Sequence, residues 1–341
     1  MRVLGWYLVV IVAGFKPLTG VQCESTTCRN LLASEGHELS EPMIFGLGSG
    51  IGFTYMDRYD RRTGMREPVV LCTARPGEMA KNLGEVLGPK LIIEETVSRS
   101  QAWANLLRRL DCGKPYGLKL DRFYLNYIEK NSHFNAHYLT ACGYDESSLY
   151  VVDVGSQEVR KPSLQSIERA RSAKGFMASK NLGLYYEWRP PLNFEGALKS
   201  ALTKTAAQML YGGSTFSGVK GIERFAERVA GWWKNPNFGY QLLNHYVAWE
   251  GDGEARGGFR NLFACFLDEA SAVLNNGELM VVAESFRAVA NGWSEIDEAL
   301  RQLCFKQDNV TSSLMNAAKA IKRQATAEAI AYRSIEKAVI P

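Results

Sequence analysis

The sequence predicts an α+β domain followed by an all-α domain. Three observations carry this. Over residues 1–190, short apolar runs rich in Val and Ile alternate with stretches of helical periodicity. Pro190-Pro191 then punctuates the chain. Beyond it, strand signals nearly vanish. At 341 residues the chain is long enough for two domains, expected at 1–190 and 191–341.

The elements follow in order. Residues 1–15 (MRVLGWYLVVIVAGF) carry one arginine ahead of an apolar run. That run is too short to span a bilayer. It has the length of a secretory h-region, but residues 16–23 (KPLTGVQC) offer no A-x-A-like cleavage site. A buried strand over residues 7–12 is the preferred reading. Strands are expected at 6–13, which contains this run, and at 90–94, 116–121, 136–144 and 148–153, with helices at 24–35, 76–87, 99–111 and 163–171. HYLTACGYDESSLYVVDV has two apolar runs around a polar turn, the pattern of an antiparallel hairpin. After Pro191, helices are expected at 194–211, 217–233, 238–249, 258–274, 278–305 and 311–338. For example, Ile222, Phe225, Val229 and Trp232 recur at helical spacing. The last helix is locally basic, which reads as a solvated face rather than a docking surface.

Composition narrows the class. The chain is 46% hydrophobic, 22% charged and 11% aromatic, which excludes disorder, collagen and coiled coil. Net charge is +4, and the pI of about 8.6 falls short of a nucleic-acid footprint. The seven cysteines are odd in number, scattered, and never in CxxC spacing. That argues against a disulfide framework or zinc ribbon and for a reducing, cytoplasmic setting with one working thiol. The glycosylation sequon Asn309-Val310-Thr311 means nothing in such a setting.

Cys23 is the candidate thiol. Cys28, Leu31 and Leu32 sit at i, i+3 and i+4, one helical face, so Cys28 points into a core. Cys23 stands at the helix start, where a thiolate is favoured by the macrodipole and free backbone N–H groups. Cys72, Cys142, Cys265 and Cys304 lie in apolar runs, and Cys112 ends a helix. A nucleophilic thiol wants a histidine, itself held by a carboxylate or amide. Of four histidines, His37 falls in a loop and His245 in a helical stretch. His137 opens one strand of the hairpin and Asp153 closes the other, so both lie near one end. A zinc site at His133 and His137 is disfavoured, because i, i+4 positions diverge on a strand. Cys, His and Asp in this chain order, with the cysteine at a helix start, form a papain-like arrangement.

QCESTTCRNLLASEGHELSEPMIFGLGSGIGF, KLDRFYLNY, HFNAHYLTACGYD and LYVVDV resemble the butirosin biosynthesis protein H family, the aminoglycoside side-chain acyltransferases. VKGIERFAERVAGWW and GEARGGFRNLFACFLDEA look like the helical domain that commonly follows. The resemblance implies a papain-like cysteine fold and an acyl-enzyme. The acyl group would come from a carrier-protein thioester, on a phosphopantetheine arm, and pass to a small-molecule amine. On matching positions Cys23 is similar to the nucleophile, His137 to the base and Asp153 to the orienting acid. Two departures stand out. Gln22 replaces a usual histidine and could serve an oxyanion, and Cys28 replaces an apolar residue.

Weaker candidates complete the site. FGLGSGIGF fails the dinucleotide template, since Ile51 stands where a third glycine is required. It reads as a tight loop in which Gly48 approaches a neighbour closely, substrate being one such neighbour. Glu41 reads as a carboxylate that supports the substrate-contacting groups from behind or binds the amine, or else as a surface cap. Asp121, with Tyr124 and Tyr127, reads as a cleft wall or as packing. Arg260, after Gly257-Gly258, reads as an anion-binding arginine or a solvated one. The leading reading is amide-forming acyl transfer in natural-product or antibiotic biosynthesis, without metal, ATP or other cofactor. A hydrolase, amidase or cyclase with the same triad is the first alternative, and a non-catalytic scaffold the second. The expected partners are an acyl carrier protein and an amine, with a homodimer open and neither nucleic acid nor membrane involved.

Overall fold

The computed structural model describes residues 9–60, 64–128, 133–187, 193–234, 238, 256–305 and 309–339. The fold is mixed α and β, with antiparallel sheets. The chain forms two compact units. The first combines Met1–Ile44 with Leu83–Pro191, the second Phe45–Asn82 with Leu192–Pro341. The expected cut between residues 190 and 191 therefore does not separate them fully, because Phe45–Asn82 clusters with the C-terminal part.

In the first unit the strands are β1 (Val10–Ile11), β4 (Lys90–Glu94), β5 (Tyr116–Leu120), β6 (His137–Tyr144), β7 (Leu149–Val152) and β8 (Gly183–Glu187). They form a sheet in the order β1-β6-β5-β8-β4, with β7 also paired to β6. The apolar start of the chain enters it as β1, opposite Gly143 and Tyr144, and the Val12 N–H extends the pairing to the Cys142 carbonyl. The helices are α1 (Cys23–Ala33), α4 (Arg99–Asp111) and α5 (Leu164–Arg171), while α2 (Glu41–Leu47) and α3 (Glu78–Leu87) are each divided along the chain between the two units. Leu106, Leu110, Tyr116, Leu118, Leu139, Val151 and Ile167 share one core. α1 packs on β6, β5 and β8. Its Cys28, Leu31 and Leu32 are buried as their spacing requires.

The second unit is helical: α6 (Phe194–Tyr211), α7 (Gly218–Val229), α8 (Arg260–Leu274), α9 (Gly277–Phe305) and α10 (Val310–Val339). It is not all-α. The hairpin of β2 (Ile51–Asp60) and β3 (Met65–Thr73) belongs to it. Phe53 stacks on Phe225 and Trp293, and Tyr55 on Phe225, with ring centroids 5.4–6.1 Å apart. Burying these rings is what draws the hairpin into the helical unit. The helix expected at 238–249, with His245, lies outside the described residues except for Phe238. Among the described residues no helix is long and apolar enough to cross a membrane.

Candidate active site

α1 sets the geometry of the site. Gln22 is its N-cap, extended at φ −121° and ψ 129°, and its Oε1 accepts the Ser25 N–H at 2.6 Å. The cap places Cys23 at the first helical position, partly exposed, while Glu24 to Cys28 behind it are buried. The first N–H groups of a helix have no intrahelical acceptor. That of Cys23 has none among the described residues, nor has the Gln22 side-chain nitrogen.

The hairpin supplies the other two groups. Thr140 pairs with Val152, so Asp153, one residue past β7, stands diagonal to His137 across the ladder, within side-chain reach. His137 Nε2 donates to the Asp153 carboxylate, at 2.8 Å to Oδ1 and 3.0 Å to Oδ2. Two more donors hold that carboxylate: the Tyr127 hydroxyl at 2.6 Å and the Val154 N–H at 2.8 Å. Cys23 acts on the same imidazole, and its interaction helps to raise the ring's pKa. With Nε2 committed to Asp153, Nδ1 is the ring nitrogen left for the sulfur. The histidine thus pairs with a buried carboxylate and interacts with a thiol at a helix N-terminus.

Electrostatics follow from this burial. Desolvation alone would lower the His137 pKa. The Asp153 charge and hydrogen bond, with Cys23 on the other side, outweigh it and raise the pKa from 6.5 to about 10. Desolvation pushes Asp153 the opposite way, yet His137, Tyr127 and the Val154 N–H hold it below its ordinary value. At neutral pH the pair is therefore imidazolium and carboxylate. Burial, with Asp153 beside it, pushes the Tyr127 hydroxyl up, so it remains a donor.

Other cysteines are in different surroundings. All seven are free thiols. Cys28, Cys72 and Cys142 are buried, and desolvation pushes each of their pKa values up. Cys28 Sγ sits 3.6 Å from the Tyr186 hydroxyl, in the core.

Several weaker candidates stand elsewhere than expected. Glu41 is no surface cap. It is 4% exposed, and its oxygens accept the Val21 and Gln22 N–H groups and the Ser25 hydroxyl. Those bonds occupy the carboxylate, so it is not placed to bind an amine. Asp121 is 1% exposed and staples its own loop, accepting from the Phe123 and Phe134 N–H groups and pairing with His133 Nδ1 at 2.7 Å. His133 and His137 thus serve different carboxylates. Among the described residues no cluster of His, Cys, Asp and Glu could hold a metal ion. Tyr124 packs on the first unit's core, and its carbonyl accepts the Ser166 hydroxyl.

Gly48 and Arg260 lie within the second unit. The Gly48 carbonyl accepts the Asn82 side-chain amide at 2.8 Å. In the same glycine-rich run, a Cβ on Gly46 would fall 2.0 Å from the Phe266 ring. Close neighbours of this run are side chains of the protein, and the run itself is a helix end leading into β2. Arg260 is fully buried, neither solvated nor open to an anion. It pairs with Glu328 at 3.0 and 3.1 Å and donates to the carbonyls of Cys72, Gly258 and Gly52. The Trp293 Nε1 proton goes to the same glutamate.

The sequence reading missed the clamp on residues 18–22. Asn30 holds both the N–H and carbonyl of Leu18, and Arg29 donates to the Thr19 carbonyl. The Gly155 N–H donates to the Gly20 carbonyl, which ties the turn before Cys23 to the loop after Asp153. The available signal was a run of polar residues, Glu24, Ser25, Thr26, Thr27 and Asn30, in a helix whose neighbours are core.

Compared with known families, residues 22–154 match the model described as butirosin biosynthesis protein H, N-terminal. Residues 165–335 match the model described as a domain of unknown function (DUF4872). No curated protein matches the chain.

Proposed function

Because the chain belongs to the butirosin biosynthesis protein H-like family, we propose that it is a cysteine-dependent acyltransferase of natural-product biosynthesis, forming an amide from a carrier-protein thioester and an amine. The observation that carries this is His137 standing between the Cys23 thiol and the buried Asp153 carboxylate. A helix bearing cysteine at its N-terminus, packed on a sheet bearing histidine and aspartate, also supports a papain-like reading of the first unit.

The Cys23 thiolate, paired with the His137 imidazolium, attacks the thioester carbonyl. The Cys23 N–H and the Gln22 side-chain amide are the donors at hand for the oxyanion. As the tetrahedral intermediate collapses, the carbon–sulfur bond to the pantetheine arm breaks. The departing thiol takes the proton from His137 Nδ1 and leaves an acyl-Cys23 thioester. The amine, in its neutral form, then attacks. His137 accepts its proton, the amide forms, and Cys23 leaves as thiolate. Asp153 remains ionised and keeps the Nε2 proton in place. Thioester exchange is nearly isoenergetic and amide formation is downhill, so neither step calls for ATP or a metal.

Intact-mass spectrometry of the full chain incubated with acyl-carrier thioesters tests this. The expected result is a covalent acyl adduct on Cys23, absent in Cys23→Ala and discharged by amines. Full transfer by Cys23→Ala refutes the scheme. Discharge by water alone points to a hydrolase, and clean binding without an adduct to a scaffold.

A further inference from the structure

Glu41 is a buried carboxylate that the proposed reaction does not use. It nevertheless accepts from four donors beside the nucleophile. Val21 N–H reaches its oxygens at 2.9 and 3.1 Å, Gln22 N–H at 3.0 Å and the Ser25 hydroxyl at 2.6 Å, with the Thr26 hydroxyl at 3.4 Å. A Cβ on Gly20 would fall 2.3 Å from this carboxyl group and would push it off its donors. The two consecutive backbone N–H groups drawn to Glu41 are those directly before Cys23. The next one, on Cys23 itself, is left without an acceptor among the described residues. Gln22, turned by the same contact, spends its Oε1 on Ser25, and its amide nitrogen has no acceptor among the described residues.

Resting on the acyl-transfer reading, we infer that Glu41 is the positioning residue of the oxyanion site: by binding the Val21 and Gln22 N–H groups it fixes the turn that presents the Cys23 N–H to the acyl carbonyl. The carboxylate does not touch substrate and acts only through this turn. A neutral amide at the same position keeps one acceptor but turns N–H groups toward the backbone donors, so the turn loses its template.

The test compares two reactions of one thiol in Glu41→Gln. Acylation by a carrier thioester develops an oxyanion, whereas alkylation by iodoacetamide displaces iodide and develops none. Acylation of Cys23 is expected to fall about 10²-fold, the usual effect of losing one oxyanion donor. Alkylation should stay within about threefold of the parent chain, since the thiol and His137 are untouched. Should Glu41→Gln not fold, Ser25→Ala serves instead. It removes the hydroxyl that anchors Glu41 and adds no atom, and about a tenfold loss of acylation is expected with alkylation unchanged. A parallel fall of both reactions makes Glu41 merely structural and overturns the inference, as does an unchanged acylation rate. A parent chain that alkylates at Cys23 but never acylates there overturns the acyl-transfer reading, and this inference with it.

Discussion

Asp153→Asn separates charge from geometry. An asparagine oxygen in the place of Oδ1 still accepts the His137 Nε2 proton and the Val154 N–H, at distances now 2.8 Å each. The Tyr127 hydroxyl, 2.6 Å from Oδ2, turns to accept from the new amide. What disappears is the negative charge. Two unit charges about 4 Å apart at an effective dielectric of about 20 attract by about 4 kcal/mol, which is about 3 pKa units. The His137 pKa, held up at about 10 by that carboxylate, should then fall to about 7. Acylation needs the ring protonated when the donor thiol departs, so its alkaline limb should move down by the same amount. At pH 8 the variant should acylate about tenfold more slowly, and at pH 6 at close to the parent rate. Single-turnover acylation between pH 5.5 and 10.5, followed by quenched intact mass, reads this directly. A variant whose alkaline limb stays where the parent's lies refutes the assignment of Asp153 as the group that charges His137.

The same pair links stability to pH. The folded His137 pKa lies above its ordinary value, so its contribution is full below about pH 6.5 and is lost as pH rises through about 10. Asp153 is lowered, so its contribution is present above its ordinary 3.8 and is lost only as pH falls through its lower folded value. Thermal melts of parent and Asp153→Asn should therefore differ most at pH 5–6 and converge toward pH 10. Cys28→Ala should leave the acyl adduct on Cys23 intact and cost roughly 1–2 kcal/mol of stability as a small core cavity, measured by denaturant melts. An adduct lost with Cys28 would reassign the nucleophile. Arg260→Met should cost roughly 3–5 kcal/mol, because it strands Glu328 as an uncompensated buried charge. A variant as stable as the parent would mean that the glutamate takes up a proton at little cost.

Legibility in the sequence followed locality. The helices around residues 99–111, 164–171 and 194–211 and the strands at 90–94 and 137–144 declare themselves through periodicity, since each buries one face. Cys28 could be assigned to the core by spacing alone. His137 and Asp153 could be brought together because a hairpin is the shortest non-local contact a chain can make, and its turn fixes the register. By itself, then, the sequence determined the mixed fold of the first unit, the helical character of the second and the pairing of His137 with Asp153.

Tertiary structure decided what depends on distant partners. β8, a five-residue strand, had no place until it paired with both β4 and β5. The segment 45–82 joins the helical unit because its aromatic rings find Phe225 and Trp293 there. Arg260 looked like a surface or anion-binding cation and is instead buried against Glu328, sixty-eight residues on. Glu41 could be read as a cap or a ligand, and the choice turned on backbone N–H groups some twenty residues earlier in the chain. In each case a charged or short apolar residue carries no local sign of its partner. Its desolvation is tolerable only where the complete set of hydrogen bonds has assembled, and that set exists only in the folded chain.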